Sequence, residues 1–378
     1  MDKKLLFVAS TRAHICHFHL PYLRQFKEDG WVVHGACGGD DGEIPCCDHV
    51  LHLPLRKRMF ALGNFRATHL LKKQILQEKY TSIIVHTSLA AFFTRLAILG
   101  MKHRPKVINM VHGYLFDERT PLLKRSILLA AEKLTASVTD LLITMNCCDT
   151  EIAKRYKLGT VIETVPGLGV DFSALELHRT GNPAQLRRTL DFKKDDFVLI
   201  YPAEFSNRKM QHILLRAMTV LPESTVLVLP GTGQCLAACQ KLAQKLGIVH
   251  RVRFPGYVED IAPWYEMANA AVSSSRSEGL PFSMMEAMWF GLPVVASDVK
   301  GHTDLIVDKK TGLLYPCGDW VACAEQIRRL TEDPNLVGEF SKSVVEYVRQ
   351  YDLNCVQPQV MALYRTATCK KETDPYLP

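Results

Sequence analysis

Two rhythms of apolar residues alternate along the chain. Short runs rich in β-branched residues are followed by stretches in which apolar positions recur at helical spacing. In the first half the runs predict strands at Leu5–Ser10, Trp31–Ala36, Ser82–His86, Val107–His112, Leu141–Met145 and Val161–Val165. In the second half they predict strands at Phe197–Tyr201, Thr225–Leu229, Val252–Phe254, Ala270–Ser275 and Val294–Ser297. Helical spacing falls between them, for example at Leu20–Lys27, Arg66–Gln77, Gln211–Val220 and Leu236–Leu246. Strands alternating with helices build βαβ units and parallel sheets. So many strands in 378 residues predict two doubly wound α/β domains. We place them at 1–183 and 184–355, with a linker around Gly167–Pro183 and a helix or tail at 356–378 packing back on the first domain. Such sheets bind ligands at the carboxyl ends of their strands, so a cleft is expected there.

Composition changes this picture little. The chain is 47% hydrophobic and 22% charged, as in ordinary globular proteins. The run after Met1 is too short for a signal segment, and no apolar stretch nears the ~18 residues of a spanning helix; a cytoplasmic protein is expected. The twelve cysteines include no Cys-x-x-Cys, which favours free thiols over a zinc or redox motif. Charge is more telling. Residues 1–170 hold 23 Lys+Arg against 15 Asp+Glu, and the rest hold 23 against 24, so the excess lies in the first half. Arg56-Lys57-Arg58-Met59-Phe60 and Lys102-His103-Arg104 are its clusters. They suit an anionic membrane surface or a lipid diphosphate, or a solvated face. A nucleic-acid partner is not expected, since aromatic interleaving and a known binding module are absent.

The most informative stretch is Ala270–Ser297. A strand leads into Ser277-Glu278-Gly279-Leu280, and Pro281 suits the first position of a helix that stops at Gly291. A flexible loop opening a helix presents amides and a positive helix end to a phosphate. Glu278 and Glu286 are eight residues apart, roughly 12 Å if all were helix. Paired carboxylates flanking one glycosidic bond need roughly 5–9.5 Å, so a hydrolase pair is excluded. The two glutamates suit different parts of one elongated ligand.

Glu278 and Glu286, in the setting Ser-Glu-Gly-Leu-Pro through Met-Glu-Ala-Met to Gly-Leu-Pro-Val-Val-Ala-Ser-Asp, resemble the signature of the retaining family 4 glycosyltransferases. Val111-His112-Gly113, Leu142–Asn146, Val165–Asp171, Gly301 and Thr311-Gly312-Leu313-Leu314 extend the resemblance over nearly the whole chain, toward the branch that builds bacterial capsular polysaccharides and exopolysaccharides. The resemblance implies two Rossmann-like domains facing across a cleft, the GT-B fold. It also implies transfer of a hexose or N-acetylhexosamine from a nucleotide diphosphate sugar, with a UDP-sugar as the expected donor, to a lipid-linked or growing glycan. By the same resemblance Glu286 holds the ribose, Glu278 the donor sugar, and the amides of Gly279 and Leu280 beside Pro281 the diphosphate. Lys209 matches the phosphate-binding lysine, and His112 lies over the donor sugar. Gly231 and Gly233 skirt the nucleotide. Glu204 stands where many members have arginine, and Arg208 is a candidate substitute.

The segment Thr11–His19 is expected to be a loop, and it has no glycine where many relatives are glycine-rich. Its three histidines and Cys16 match no standard metal spacing, so acceptor contacts by Arg12 and His14 are preferred. Neither a metal nor a cofactor is expected. Two alternatives stay open at this point. A nucleotide-sugar epimerase of similar fold would convert donor without acceptor, and a non-catalytic sugar-nucleotide or glycan binder would do neither.

Overall fold

The computed structural model describes residues 3–56, 58–179 and 182–368. It resolves into two compact units, one made of residues 1–168 with 355–378 and the other of 169–354. The first unit carries a seven-stranded sheet of β1 (Lys4–Ala9), β2 (Val32–Cys37), β3 (His49–His52), β4 (Ser82–His86), β5 (Lys106–Met110), β6 (Leu141–Thr144) and β7 (Val161–Thr164). Their order is β3-β2-β1-β4-β5-β6-β7, and every pairing is parallel. The second carries β8 (Phe197–Ile200), β9 (Thr225–Pro230), β10 (Val252–Gly256), β11 (Ala270–Ser273), β12 (Val294–Ser297) and β13 (Gly312–Tyr315) in the parallel order β10-β9-β8-β11-β12-β13. Both sheets are therefore doubly wound. The order turns back between β1 and β4 in the first, and between β8 and β11 in the second, which fixes where each unit opens a crevice.

All eleven strands expected from the sequence form, most within a residue or two of their expected ends. The two additional strands lie at sheet edges. β3 is only four residues long, with both terminal histidines exposed. β13 opens on Gly312, where a Cβ would stand 2.2 Å from the Val294 carbonyl oxygen, so the close approach to β12 requires glycine.

Three local expectations change. Thr11–His19 is not a loop: Arg12–Phe18 is a helix, and the Thr11 hydroxyl caps it by accepting from the His14 amide at 3.3 Å. Pro281 sits one place earlier than expected, as the cap of the helix Phe282–Trp289. Finally, the chain passes between units at 168/169, not near 183. Gly169 (φ +77°) lies against the backbone of Leu353, the Val170 amide donates to Tyr351 O at 2.9 Å, and Phe172 stacks on Trp289 at 4.6 Å. These contacts tie 169–177 to the second unit. The helix Leu353–Thr368 carries the chain back to the first, where Tyr364 lies 5.8 Å from Phe26 and Arg365 pairs with Asp29 at 2.8 Å. Residues 369–378 of the expected tail, and Lys57 of the basic cluster, lie outside the described residues.

The described cysteines form no disulfide with one another. No helix of the described residues is long and apolar enough to cross a membrane.

Candidate functional site

The reversal point of the second sheet gathers the charged groups singled out above. The chain leaving β8 reaches Arg208 and Lys209, and the chain leaving β11 reaches Glu278. Lys209 Nζ donates to Glu278 Oε1 at 2.7 Å and Arg208 Nη1 to Oε2 at 2.6 Å. Ser275 adds a hydroxyl bond to Oε1, and Tyr201 supports Ser275 at 2.8 Å. Glu278 is buried, with 7% of its surface exposed, and Lys209 is nearly so. Burial alone would raise the carboxyl pKa. The two cations overcome it and hold Glu278 down at about 2. A buried carboxylate between two cations is thus ionised and oriented at neutral pH.

Geometry fixes this cluster from both sides. Met210 takes a left-handed backbone (φ +49°) directly after Lys209. Gly301 (φ +80°) presses against the glutamate loop, where a Cβ would stand 2.6 Å from Gly279 O and 2.9 Å from Glu278 Cβ. His302, which sequence reasoning missed, is buried below, within 3.2 Å of Ser273 Oγ and 2.8 Å of Ser297 O. No motif marks it, though it follows directly on Gly301.

Glu286 lies on the helix Phe282–Trp289, half-buried, and accepts from Tyr265 Oη at 2.9 Å. Burial raises its pKa, and the tyrosine bond offsets only part of that. The two glutamates therefore sit in opposite electrostatic settings, Glu278 held by two cations and Glu286 by one hydroxyl. Leu280 and Pro281 are buried between them in sequence. Gly231 and Gly233 lie flat on the segment after β8. A Cβ on either would fall 2.1 Å from Ala203 O or 2.4 Å from Phe205 O. Glu204 is exposed in that same segment, and its carbonyl accepts from Gln211 at 2.9 Å.

In the first unit the reversal point is occupied by imidazoles. His14 and His19 follow β1, His86 ends β4, and His112 lies two residues beyond β5. His14 Nε2 and His19 Nε2 are 3.4 Å apart, and His86 Nδ1 is 3.0 Å from His112 Nε2. Phe7 stacks on His86 at 4.4 Å. Burial lowers the pKa of all four, His14 to about 4 and the others well below the usual histidine value. They are neutral rings with lone pairs to offer. Ligand nitrogens of His14, His19 and His112 lie within 4.8 Å of one another. Thr87, directly after His86, is held at φ +63°, a costly conformation for a β-branched residue. His86 escaped notice as a site residue because it joins the cluster only through the sheet order. Arg12 is turned toward its own unit, paired with Asp40 and donating to Glu43 O at 3.1 Å.

Comparison with known proteins decides the family. The model of the family "Glycosyl transferases group 1" matches residues 184–351. EpsD of Bacillus subtilis, named as a glycosyltransferase, is 34% identical over 341 residues, 89% of each chain. The chain belongs to the group 1 glycosyl transferases. This glycosyltransferase also resembles solved structures along its whole length. HepE of Anabaena, in complex with UDP and glucose, superposes with a TM-score of 0.79 at 19% identity, over 97% of this chain and 100% of HepE. Sucrose-phosphate synthase of Thermosynechococcus elongatus gives 0.79 at 21% identity, over 97% and 99%. At these identities the likeness concerns the fold, which is GT-B.

Proposed function

We propose that this glycosyltransferase moves a hexose or N-acetylhexosamine from a UDP-sugar to a lipid-linked or growing glycan in surface polysaccharide synthesis, with retention of anomeric configuration. The observation that carries this is the buried, ionised Glu278 held between Lys209 and Arg208 at the sheet reversal, with Glu286 on the following helix. A diphosphate leaving group offers Lys209 and Arg208 a new anionic partner, freeing Glu278 to accept from sugar hydroxyls. Glu286 would accept from the ribose diol, the amides of Gly279 and Leu280 would face the diphosphate, and Gly231 and Gly233 would leave room beside the nucleotide. His112 would be the residue that meets the donor sugar, and Arg12 and His14 would contact the acceptor. The acceptor hydroxyl would attack the face the diphosphate leaves, passing its proton to the departing phosphate oxygen. The bond to the diphosphate oxygen breaks as the new glycosidic bond forms, with no metal needed at the diphosphate. The motif resemblance to the polysaccharide-building branch supports that setting, and the UDP and glucose bound by HepE support the donor class.

A membrane-surface acceptor is supported by the first unit. Phe60, Leu62, Leu122 and Leu123 are each at least 75% exposed, with the exposed cations Arg58, Arg66 and Lys124 beside them in sequence. Met59, Leu115 and Leu128, near both groups in sequence, line one small apolar pocket. We place this face on anionic lipid at the cytoplasmic side.

The test is a donor screen by ligand-detected binding across UDP-, GDP- and ADP-sugars. It is followed by transfer to a polyprenyl-diphosphate-linked saccharide, with the anomer read by NMR. UDP-sugar selectivity and a retained anomer are expected. An inverted product, or donor conversion that needs no acceptor, would overturn the assignment.

A further inference from the structure

The histidines of the first unit do more than the transfer reaction asks of them. One neutral histidine suffices to meet a donor sugar, yet four are packed together around the reversal of the sheet. We propose that His14, His19 and His112 form a binding site for a nitrogen-preferring transition-metal ion, zinc foremost.

The site is legible only in three dimensions. Along the chain the candidates were His14, His17 and His19, whose spacing fits no known metal motif. The helix Arg12–Phe18 turns His17 outward, where its Nδ1 contacts Ala13 O at 3.0 Å, and the sheet order supplies His112 instead. The three ligand nitrogens lie within 4.8 Å of one another, and two of them, on His14 and His19, are 3.4 Å apart. Nitrogens at about 2.0–2.1 Å from a tetrahedral zinc stand roughly 3.3 Å from each other. The pair therefore already has the ligand separation, and His112 completes the set of three.

Several observations point to a cation and not merely to packed aromatics. Two imidazole nitrogens facing across 3.4 Å share a single proton at best, whereas a cation between them uses both lone pairs. His19 is fully buried and its Nδ1 has no hydrogen-bond partner, so its proton can rest there and leave Nε2 with a lone pair toward His14. His86 Nδ1 stands 3.0 Å from His112 Nε2; with the proton on His112 Nε2, the other His112 nitrogen keeps its lone pair. An imidazole behind an imidazole ligand fixes its tautomer and raises its basicity. The described ligand set contains no carboxylate, so magnesium, calcium and manganese are poorly served, while zinc, nickel and copper are well served. Half-buried His14 and His112 leave a fourth position for water.

Occupancy has a consequence for transfer that rests on the proposed role of His112. A metal-bound His112 cannot also meet the donor sugar, so the ion slows transfer while nucleotide binding by the second unit is unchanged. The binding itself stands apart from that role.

Cobalt(II) titration of the full, metal-stripped chain tests the site directly. One equivalent should give the intense visible bands of a four-coordinate nitrogen site, without the near-ultraviolet thiolate band that exposed Cys147 or Cys355 would produce. His14→Asn and His19→Asn should each weaken binding at least about tenfold, whereas His17→Asn should bind as the wild type does. Zinc should raise the unfolding midpoint of the wild type and of His17→Asn only. Should His19→Asn fail to fold, the half-buried His14→Asn and the wild-type spectrum still decide. A thiolate spectrum, no stoichiometric binding, or undiminished binding by His14→Asn would overturn the proposal. If zinc binds but transfer is unaffected, the metal site stands and the role of His112 falls.

Discussion

At the scale of single residues, the two glutamates eight positions apart differ in kind. Glu278 is stabilised as an anion by Lys209 and Arg208, its pKa falling from 4.5 to about 2. A carboxyl depressed in this way adds stability that is present above its unfolded value and is lost as pH falls. Unfolding monitored between pH 6 and 2 should therefore show stability declining from about pH 4.5 toward about pH 2, by on the order of 3 kcal/mol from this group. In Glu278→Gln that part of the decline should be missing and stability at neutral pH should be lower. Glu286 carries the opposite sign. Its pKa is raised by burial, so the ionised form at neutral pH is a cost to folding. Glu286→Gln keeps the Tyr265 hydrogen bond and removes the charge. It should leave the thermal midpoint unchanged or higher while lowering donor affinity about 10–100-fold, as expected for losing a charged hydrogen-bond acceptor. Calorimetry and ligand-detected NMR on one sample separate the two effects.

At the scale of elements, the central strands were legible because they are buried on both faces and read as continuous apolar runs. β3 and β13 were not, since β3 offers only Val50 and Leu51 between two histidines and β13 opens on a glycine. The helix Arg12–Phe18 was hidden for another reason: its only clear start signal is Thr11, and the cluster of histidines drew attention to chemistry. The glutamate loop was readable in sequence, but its partners were not. Ser275 and Tyr201 carry no motif, and His302 serves from beneath. Gly301 shows what the loop requires of its neighbours. Gly301→Ala combines a positive φ with a Cβ placed 2.6 Å from Gly279 O, so the glutamate loop must shift. We expect a loss of about 1–3 kcal/mol together with weakened nucleotide binding, read by thermal unfolding with and without UDP. An unaltered midpoint and unaltered binding would show that the loop has slack.

At the scale of the whole molecule, the charge excess and the exposed Phe60, Leu62, Leu122 and Leu123 fall in the same unit. If that face meets anionic lipid, wild-type protein should float with vesicles containing phosphatidylglycerol and not with neutral vesicles. Leu122→Ser with Leu123→Ser should reduce the floated fraction several-fold without altering UDP binding. High salt should do the same for the electrostatic share.

The path of the chain between units has a consequence for biosynthesis. The first unit is built from two separate stretches of chain, because Tyr364 and Arg365 come home to Phe26, Tyr22 and Asp29 after the entire second unit has been made. Residues 169–354 are, in topological terms, an insertion. The ribosome thus releases the second unit complete while the first still lacks its closing helix. A chain stopped at Asn354 should hold UDP yet expose the apolar seat of Tyr364, and such a chain is what quality-control proteases would meet first.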